Sequence, residues 1–437
     1  MMKQVITLLL IIIAIGGCSN PDSGKDKFIT TKDGQFIKNG KPYYYIGTNY
    51  WYGAILGSTG EFGNRERLLK ELDIMKEHGI DNLRILAGAE GPDGEPRRVT
   101  PALQLEPGKY NNELLDGLDF LIFEMSKRGM TAILYLNNSW EWSGGFAQYL
   151  NWNGYGDIPY PTWQGHTWPE FMGFASQFHK CTPCKEMFYE HVKYMIKRKN
   201  KYSGLNYSDD PAIMAWEIGN EPRAFSNDNK PLLLEFVKET SELIKSLDPN
   251  HLVTTGTEGI WGCEGDPSLF KAIHAPQSVD YLTMHIWPYN WRWLNPADIE
   301  GTIDTCLYLA GKYMDEHIAY ADSLNKPIVF EEFGLPRDNF SFFPSSSTTA
   351  RDKYYDFSFS KVYENAKNNG KLAGANFWTF SGTGLANLNN EDHFWKKGDD
   401  IIGDPPQEEQ GLNSVFYNDS TMIIVKKYNN KISDLLR

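Results

Sequence analysis

The chain has 437 residues, of which 41% are apolar and 23% are charged, and its formal net charge is −13. The length suits one large domain or two ordinary ones, and this composition allows a sizeable core. The negative charge argues against a nucleic-acid partner and against a polyanionic substrate, because both would need clustered Lys and Arg. The chain is rich in aromatic residues, with 13 Trp, 24 Tyr and 24 Phe. Many stand among Gly, Pro and Asn, which indicates a surface that stacks on something flat.

The N-terminal segment is typical of an export signal. An apolar run at 5–15 follows Lys3, and it is too short for a bilayer span of about 20 residues. The signal at 1–17 ends in Gly16-Gly17-Cys18, which looks like a bacterial lipobox whose cysteine is lipidated; an ordinary cleaved signal with an incidental cysteine is the alternative. We expect a polar tether at 18–27, one folded domain at 28–437, and a lipid as the only membrane attachment of an exported, cell-envelope protein.

The remaining cysteines fit an exported chain, in which an even number permits disulfides. They are Cys181, Cys184, Cys263 and Cys306. A zinc site would need a second pair at a spacing like that of Cys181 and Cys184, and a redox site would need a preceding thioredoxin-like strand. Neither is present. We therefore expect a local structural disulfide between Cys181 and Cys184, with free thiols as the alternative; the sequence leaves the full connectivity open.

Helical and strand patterns alternate along the chain. The first helix is predicted between Asn64, a capping residue, and Gly79, a helix-ending residue, and further helices are predicted at 114–125, 232–247, 305–324 and 351–369. Eight short apolar strands are predicted at 43–48, 80–86, 131–136, 213–218, 252–255, 280–285, 328–330 and 373–378. This alternation predicts parallel strands joined by crossover helices, and eight of them favour a closed (β/α)8 TIM barrel. The alternative is an open doubly wound sheet, but no glycine-rich phosphate loop follows any strand.

A barrel places its active site at the carboxyl ends of the strands. Polar and aromatic residues gather there, and the segment from Trp140 to about Phe178 after the third strand is unusually long and rich in Trp and Tyr, which is typical of a binding loop. The residues at the predicted strand ends are Arg84, Asn137, Asn138, Asn220, Glu221, His285, Trp287, Glu331, Glu332 and Trp378.

Two of these carboxylates suggest a reaction. Glu221 and Glu332 end strands four and seven, which face each other across an eight-stranded barrel. Glycoside hydrolysis needs such a pair, one to protonate the leaving oxygen and one to attack the anomeric carbon, and a separation of about 5 to 5.5 Å gives retention. Asn220 is suited to hold a sugar hydroxyl, Arg84 to keep Glu332 ionised, and Trp378 to stack on a pyranose ring.

These residues resemble a known family. Residues 216–223, WEIGNEPR, and 330–334, FEEFG, look like the acid/base and nucleophile motifs of glycoside hydrolase family 5. The β-mannanases of that family give the finer match, through 47–51 (GTNYW), 136–140 (LNNSW), 285–291 (HIWPYNW) and 403–407 (GDPPQ). The resemblance runs from about residue 28 to the C-terminus. It implies a (β/α)8 barrel, a retaining mechanism and no cofactor or metal.

The resemblance also implies roles for individual residues. Glu221 becomes the acid/base. Glu332, rather than Glu331, becomes the nucleophile, because it precedes an aromatic-Gly pair and because neighbouring side chains on a strand point oppositely. Glu217, inside strand four, is expected to be a buried structural partner. Trp287 stands where the broader family often has a Tyr whose hydroxyl touches the nucleophile. The substrate-binding residues expected on this basis are Arg84, Asn220, His285, Trp287, Trp378, Arg223, Trp140 and Trp51.

The sequence therefore predicts a monomeric glycoside hydrolase that cleaves β-1,4-mannosidic linkages inside a polysaccharide such as mannan, glucomannan or galactomannan. A β-1,4-glucanase and an exo-acting β-mannosidase are the alternatives within the enzyme class. A non-catalytic carbohydrate-binding lipoprotein is the alternative outside it, although a binding protein has no need of both acids. A metallohydrolase is less favoured, because the nine His show neither HxH nor HExxH spacing.

Overall fold

The computed structural model describes residues 27–161 and 163–437. Eight parallel strands form one sheet, and every residue of these strands is buried, as expected for a barrel wall covered by helices. The (β/α)8 prediction is confirmed, and each strand overlaps the segment predicted for it. In chain order the strands are β1 (Tyr45–Asn49), β2 (Asn82–Leu86), β3 (Thr131–Tyr135), β4 (Ile213–Glu217), β5 (Leu252–Thr254), β6 (Leu282–Ile286), β7 (Ile328–Phe333) and β8 (Leu372–Phe377).

Neighbouring strands pair around the barrel in the order β5-β4-β3-β2-β1-β8-β7-β6. The seam between β5 and β6 is closed by a different set of hydrogen bonds. The Thr254 hydroxyl donates to the Tyr281 carbonyl over 2.9 Å, and the Val253 amide donates to the Asp280 carboxylate over 2.7 Å. The His285 amide donates to the Glu258 carbonyl over 3.1 Å. The Asp280 amide also donates to the Val253 carbonyl over 2.8 Å, so side chains and backbone groups together complete the barrel at this seam.

The five predicted helices are all present, and the described residues form six more that were not predicted. Asn64 caps the first predicted helix by accepting a hydrogen bond from the Arg67 amide over 3.0 Å, as its side chain suggested. The helices are α1 (Gly53–Gly57), α2 (Arg65–Glu77), α3 (Asn112–Lys127), α4 (Gly145–Trp152), α5 (Trp168–Ala175), α6 (Thr182–Ile196), α7 (Lys230–Leu247), α8 (Pro267–His274), α9 (Ile299–Leu324), α10 (Thr349–Asn368) and α11 (Ser420–Leu436).

Short elements lie outside the barrel wall. An antiparallel sheet of Thr30–Lys32, Gln35–Lys38 and Lys41–Pro42 precedes β1. Two further pairs join Gln104–Glu106 to Lys109–Tyr110, and Phe380–Gly382 to Val415–Phe416. Single turns of 3-10 helix span Glu141–Ser143, Ser176–Lys180, Tyr207–Asp209, Asn227–Asn229 and Asp338–Phe340. The pairing of Phe380–Gly382 with Val415–Phe416 holds together the start and the end of the long segment after β8.

The aromatic-rich segment after β3 is more regular than its composition suggests, because α4 and α5 lie within it. A disulfide joins Cys181 to Cys184 at the start of α6, as predicted. Cys263 and Cys306 are buried free thiols. The disulfide therefore tethers the end of the aromatic segment to the helix that leads into β4.

The predicted signal at 1–17, the lipidation site Cys18 and nearly all of the tether at 18–27 lie outside the described residues. Within the described ranges, each helix is either too short or too polar to cross a membrane.

Candidate active site

A cavity of about 420 Å³ opens at the carboxyl ends of the barrel strands, where this fold places its active sites. Its volume lies within the usual range for small-molecule sites. The residues that line it are Trp140, Trp142, Trp168, Asn220, Glu221, Arg223, Glu258, Trp287, Tyr289, Asn290, Trp291, Glu332, Trp378, Phe394, Gln407, Glu408, Glu409, Leu412 and Asn413.

Glu221 enters the cavity from the chain that follows β4. Its backbone has a positive φ of 50°, a conformation that is costly for a side chain with a Cβ and is common at functional sites. The turn at the end of this strand is thus made by Glu221 itself, before Pro222. The Glu221 amide donates to the Gly256 carbonyl over 2.9 Å, which fixes the turn against the chain after β5.

Two groups bind the Glu221 carboxylate directly. The indole N–H of Trp140 donates to Oε2 over 2.5 Å, and a hydrogen bond of 2.7 Å joins Oε1 to His285 Nδ1. The aromatic segment after β3 therefore supplies one hydrogen bond and strand β6 supplies the other. Both keep the carboxyl group facing the cavity.

Glu332 enters from β7, and Arg84 of β2 holds it from below. Arg84 Nη1 donates to Glu332 Oε1, while Nη2 and Nε donate to the two oxygens of Glu217 over 2.5 and 2.9 Å. Nη2 also donates to the Asn220 side chain over 2.8 Å. Arg84 is fully buried, so one guanidinium joins the ends of β2, β4 and β7. Glu217 is the buried structural partner that its position in β4 indicated.

Glu331 does not point away from this network. Its Oε2 lies 4.0 Å from Arg84 Nε and 3.9 Å from His285 Nε2, beneath the floor of the cavity. A register shift between β6 and β7 pairs His285 with Glu332, and near this irregularity both neighbouring glutamates approach the same cation. Of the two, only Glu332 lines the cavity.

The two cavity carboxylates form one electrostatic unit, because oxygens of Glu221 and Glu332 lie within 4.8 Å of each other. Burial, the largest cause, raises the pKa of Glu221, and the charge of Arg223 and the indole N–H of Trp140 oppose that rise. Burial also raises the pKa of Glu332, Arg84 opposes the rise, and Glu221 adds to it. Two carboxylates this close share one proton most readily. The direct Arg84 hydrogen bond favours the ionised form of Glu332.

His285 is the neutral member of the site. It is fully buried, and burial followed by repulsion from Arg84 lowers its pKa to about 3. Its Nδ1 lies 2.7 Å from Glu221 and 3.4 Å from Glu332 Oε2. The imidazole can therefore orient both carboxyl groups without adding a charge that would bind them as an ion pair.

Glu221, His285 and Glu332 also form the one cluster among the described residues whose donor atoms are close enough to share a metal ion. The distances favour hydrogen bonding. Ligands around an ion bound at about 2.1 Å stand well over 3 Å apart, whereas His285 Nδ1 and Glu221 Oε1 are 2.7 Å apart. The site needs no ion to hold its present arrangement.

The substrate-binding residues expected from the sequence occupy three different places. Asn220, Trp287, Trp378, Arg223 and Trp140 line the cavity. Arg84 and His285 lie behind the two carboxylates and are fully buried.

Trp51 stands apart from the cavity lining: its side chain is 2% exposed, its indole N–H donates to the Gly403 carbonyl, and its ring packs on Trp142 at 5.9 Å. Trp51 thus supports a lining residue from behind, and its position gives no support to a direct substrate contact.

The broader family often has a Tyr at the position of Trp287, with its hydroxyl near the nucleophile. Trp287 acts on Glu221 instead. Its indole N–H favours the ionised form of Glu221 and lowers the pKa of that carboxyl, a smaller contribution than those of burial, Arg223 and Trp140. Glu332 receives its direct hydrogen bond from Arg84 instead.

Several lining residues were not predicted. Glu258 follows β5 and accepts a 2.5 Å hydrogen bond from Arg223 Nε; burial raises its pKa to about 7. The rule that strand ends face the site could have found it. Glu408 comes from the segment after β8, one residue beyond the GDPPQ motif, and burial followed by repulsion from Asp404 raises its pKa to about 8. The motif was the only signal for Glu408, since no strand ends there.

A (β/α)8 barrel with one glutamate just after β4 and another in β7, both facing the cavity at its mouth, defines a glycoside hydrolase. The sequence model described as "GH family 5 beta-mannosidase-like" matches residues 26–437, and the chain belongs to this family.

The chain is also similar, over most of its length, to named relatives and to a solved structure. The chain is 30% identical over 401 residues to putative mannan endo-1,4-beta-mannosidase 4 of Arabidopsis thaliana, covering 88% of this chain and 90% of the relative. It is 29% identical to mannan endo-1,4-beta-mannosidase 1 of rice, Oryza sativa subsp. japonica, covering 86% and 83%. The crystal structure of a glycoside hydrolase family 5 mannosidase from Rhizomucor miehei superposes with a TM-score of 0.86 at 35% identity, covering 94% of this chain and 99% of that one.

Proposed function

We propose that the protein hydrolyses β-1,4-mannosidic linkages of mannan, glucomannan or galactomannan with retention of configuration at the anomeric carbon. The observation that supports this most directly is the approach of Glu221 and Glu332, whose oxygens lie within 4.8 Å of each other across the cavity. Retaining enzymes hold their two carboxyl groups about 5 to 5.5 Å apart, whereas inverting enzymes leave room for a water.

The chemistry follows in two displacements. Glu332, ionised beside Arg84, attacks the anomeric carbon, and the bond to the leaving oxygen breaks as Glu221 gives that oxygen its proton. A glycosyl ester on Glu332 results. Glu221, now a carboxylate, takes a proton from water as the water oxygen attacks the same carbon, and Glu332 leaves as a carboxylate. Both glutamates return to their starting states.

The substrate class is proposed from relatives. The rice and Arabidopsis proteins are named mannan endo-1,4-beta-mannosidases, and a variant of the Rhizomucor miehei mannosidase was crystallised with mannosyl-fructose. The cavity suits a pyranose chain, because Trp140, Trp287 and Trp378 present aromatic rings beside the two acids.

The adjacent residues Glu331 and Glu332 allow a matched test of the proposed mechanism. Product analysis on linear mannan and on soluble cellulose would compare wild type, Glu332→Gln and Glu331→Gln. We expect manno-oligosaccharides from wild type and from Glu331→Gln, and a loss of at least about 10³-fold for Glu332→Gln. An active Glu332→Gln would overturn the mechanism, glucan products would favour a β-1,4-glucanase, and no cleavage of any glycan would favour a binding protein.

Exo action at a chain end is a second candidate, and one feature favours it. The segment after β8 places Phe394, Glu408 and Asn413 along the cavity. Phe394 stacks under Arg97, with 3.6 Å from the guanidinium carbon to the ring centroid, and His393 stacks on Phe342 at 4.6 Å. The segment thus reaches from the loop after β2 to the loop after β7, on the side of the mouth away from Glu221. A wall there would stop the sugar chain beyond the nucleophile. Mannose as the sole early product would support exo action; mixed short oligosaccharides would support endo action.

We also propose that the protein is an exported, monomeric lipoprotein attached to the cell envelope through Cys18. The lipobox-like sequence ending at Cys18 and the Cys181–Cys184 disulfide, which suits an oxidising compartment, support this. Cys18→Ser should abolish labelling by a radioactive fatty acid and move the protein from the membrane to the soluble fraction. Retention of both label and membrane association would contradict the proposal. Light scattering of the purified protein measures its molecular mass and so tests whether it is a monomer.

A further inference from the structure

Two tryptophans continue the cavity outward past its rim. Trp291, in the loop after β6, lines the cavity. Trp261, in the loop after β5, packs against it with ring centroids 5.4 Å apart and an interplanar angle of 35°. Trp261 is 45% exposed, so part of its ring is open to a ligand beside the cavity. We call Trp261 and Trp291 the aromatic platform.

The platform lies on the side of the mouth that belongs to the acid/base. Glu221 binds the indole of Trp140, and Arg223 stacks on that same ring at 5.2 Å. Arg223 in turn binds Glu258, which begins the loop that contains Trp261. The acid/base protonates the leaving oxygen. This chain of contacts therefore connects the platform to the leaving-group side of the site.

The two loops of the platform are held together from beneath. The Tyr313 hydroxyl of α9 donates to the Glu258 carbonyl over 2.8 Å, and the Tyr313 ring packs on Trp291 at 5.2 Å. Trp293 packs edge-on against Trp291 at 4.9 Å. The platform rings are thus fixed before a ligand arrives, so that binding costs little ordering of these side chains.

We propose that the aromatic platform binds sugar rings of the β-linked substrate chain on the leaving-group side, beyond the rings held in the cavity. The inference rests on the proposed hydrolysis of β-mannan. Pyranose rings present flat C–H faces that stack on indole, and stacking does not depend on one hydroxyl pattern. The platform therefore adds affinity for longer chains whether cleavage is internal or at a chain end.

Comparing a long substrate with a short one isolates the contribution of the aromatic platform to binding. The experiment measures kcat/KM for mannohexaose and for mannobiose with wild type, Trp261→Ala, Trp261→Phe and Tyr308→Ala. Tyr308, on α9, is 65% exposed and serves as a control for the loss of an exposed aromatic ring. We expect the hexaose-to-biose ratio to fall about tenfold in Trp261→Ala, since burial of much of an indole is worth about 1.4 kcal/mol or more. Trp261→Phe should fall less, and Tyr308→Ala should match wild type.

A binding measurement separates the platform from the chemistry. Calorimetry on Glu332→Ala protein, with and without Trp261→Ala, should show weaker binding of mannohexaose and nearly equal binding of mannobiose. An unchanged length ratio together with unchanged hexaose affinity would overturn the platform while leaving the proposed function intact. Failure of wild type to bind or cleave any manno-oligosaccharide would instead overturn the proposed function.

Discussion

Glu331→Gln tests whether the carboxyl beneath the site is protonated. Among the described residues, Arg84 is the one cation within 4.0 Å of Glu217, Glu331 and Glu332, and three ionised carboxylates would leave an excess of buried negative charge. Neither Glu331 oxygen accepts a hydrogen bond from any described residue, whereas a protonated Glu331 can donate to Glu217. Burial, then repulsion from Glu217, raise the Glu331 pKa well above its ordinary value of 4.5.

The sign of the expected effect follows from linkage. Above pH 4.5 the unfolded chain releases this proton and the folded protein keeps it, so Glu331 makes the free energy of unfolding fall as pH rises, until its raised pKa is reached. The slope is about 1.36 kcal/mol per pH unit. At about pH 6.5, two units above 4.5, wild type has lost up to ~2.7 kcal/mol relative to its stability at low pH. A glutamine at this position cannot ionise and lacks that loss.

Thermal unfolding of wild type and Glu331→Gln should therefore be compared between about pH 4.5 and pH 7. The difference in Tm, variant minus wild type, should rise steadily with pH, and kcat/KM should change less than about threefold because the amide keeps a donor where the acid had one. Glu217→Gln, which removes an anion from Arg84, is the matched control and should lose far more activity. A Tm difference independent of pH, or an acid limb of the activity profile displaced by a full unit in Glu331→Gln, would show that Glu331 is ionised.

Three further outcomes are expected. Trp140→Phe removes the donor to the Glu221 carboxylate, so the Glu221 pKa should rise, the alkaline limb of the kcat/KM profile should move to higher pH, and activity should fall about tenfold; an unmoved limb would argue against this hydrogen bond. Cys181→Ser with Cys184→Ser opens a loop with a sequence separation of only 3, so the loss of stability should lie below the ~2–4 kcal/mol typical of longer loops, and a larger fall in Tm would show that the bond does more than close this turn. Dialysis against EDTA should leave mannan hydrolysis unchanged, and recovery of lost activity by added metal would show that the cluster in the cavity binds an ion.

The barrel was predictable because its sequence pattern is local. Apolar runs such as 213–218 are short, lie between helical stripes and end in polar residues, and β4 at Ile213–Glu217 differs from the prediction by one residue. Six helices of the described residues were missed. Some are short or lie inside the loops, such as α4 (Gly145–Trp152), and their aromatic and glycine content hides the helical period.

Part of the site was predictable because residues at the carboxyl ends of the strands lie at the mouth of the barrel. That rule found Glu221, Glu332, Arg84 and His285. It gives no direction for a side chain. Trp51, just beyond β1, was expected in the cavity because it belongs to the GTNYW motif that resembles the family, and it instead packs behind Trp142. The rule also says nothing of residues that come from a distant segment, and Glu408 is of that kind.

The seam between β5 and β6 has a consequence for motion. Elsewhere the barrel is closed by ladders of amide hydrogen bonds, but here Thr254 and the carboxylate of Asp280 supply part of the closure. Closure of this junction depends on side chains as well as on backbone groups, so local openings of low free energy should begin there. Amide hydrogens beside the seam should then exchange with solvent sooner than those of β8 and β1. The same seam leads up to Glu258 and to the loop that contains Trp261, so the barrel would open on the side where the cleaved chain leaves while the strands around the nucleophile stay shut.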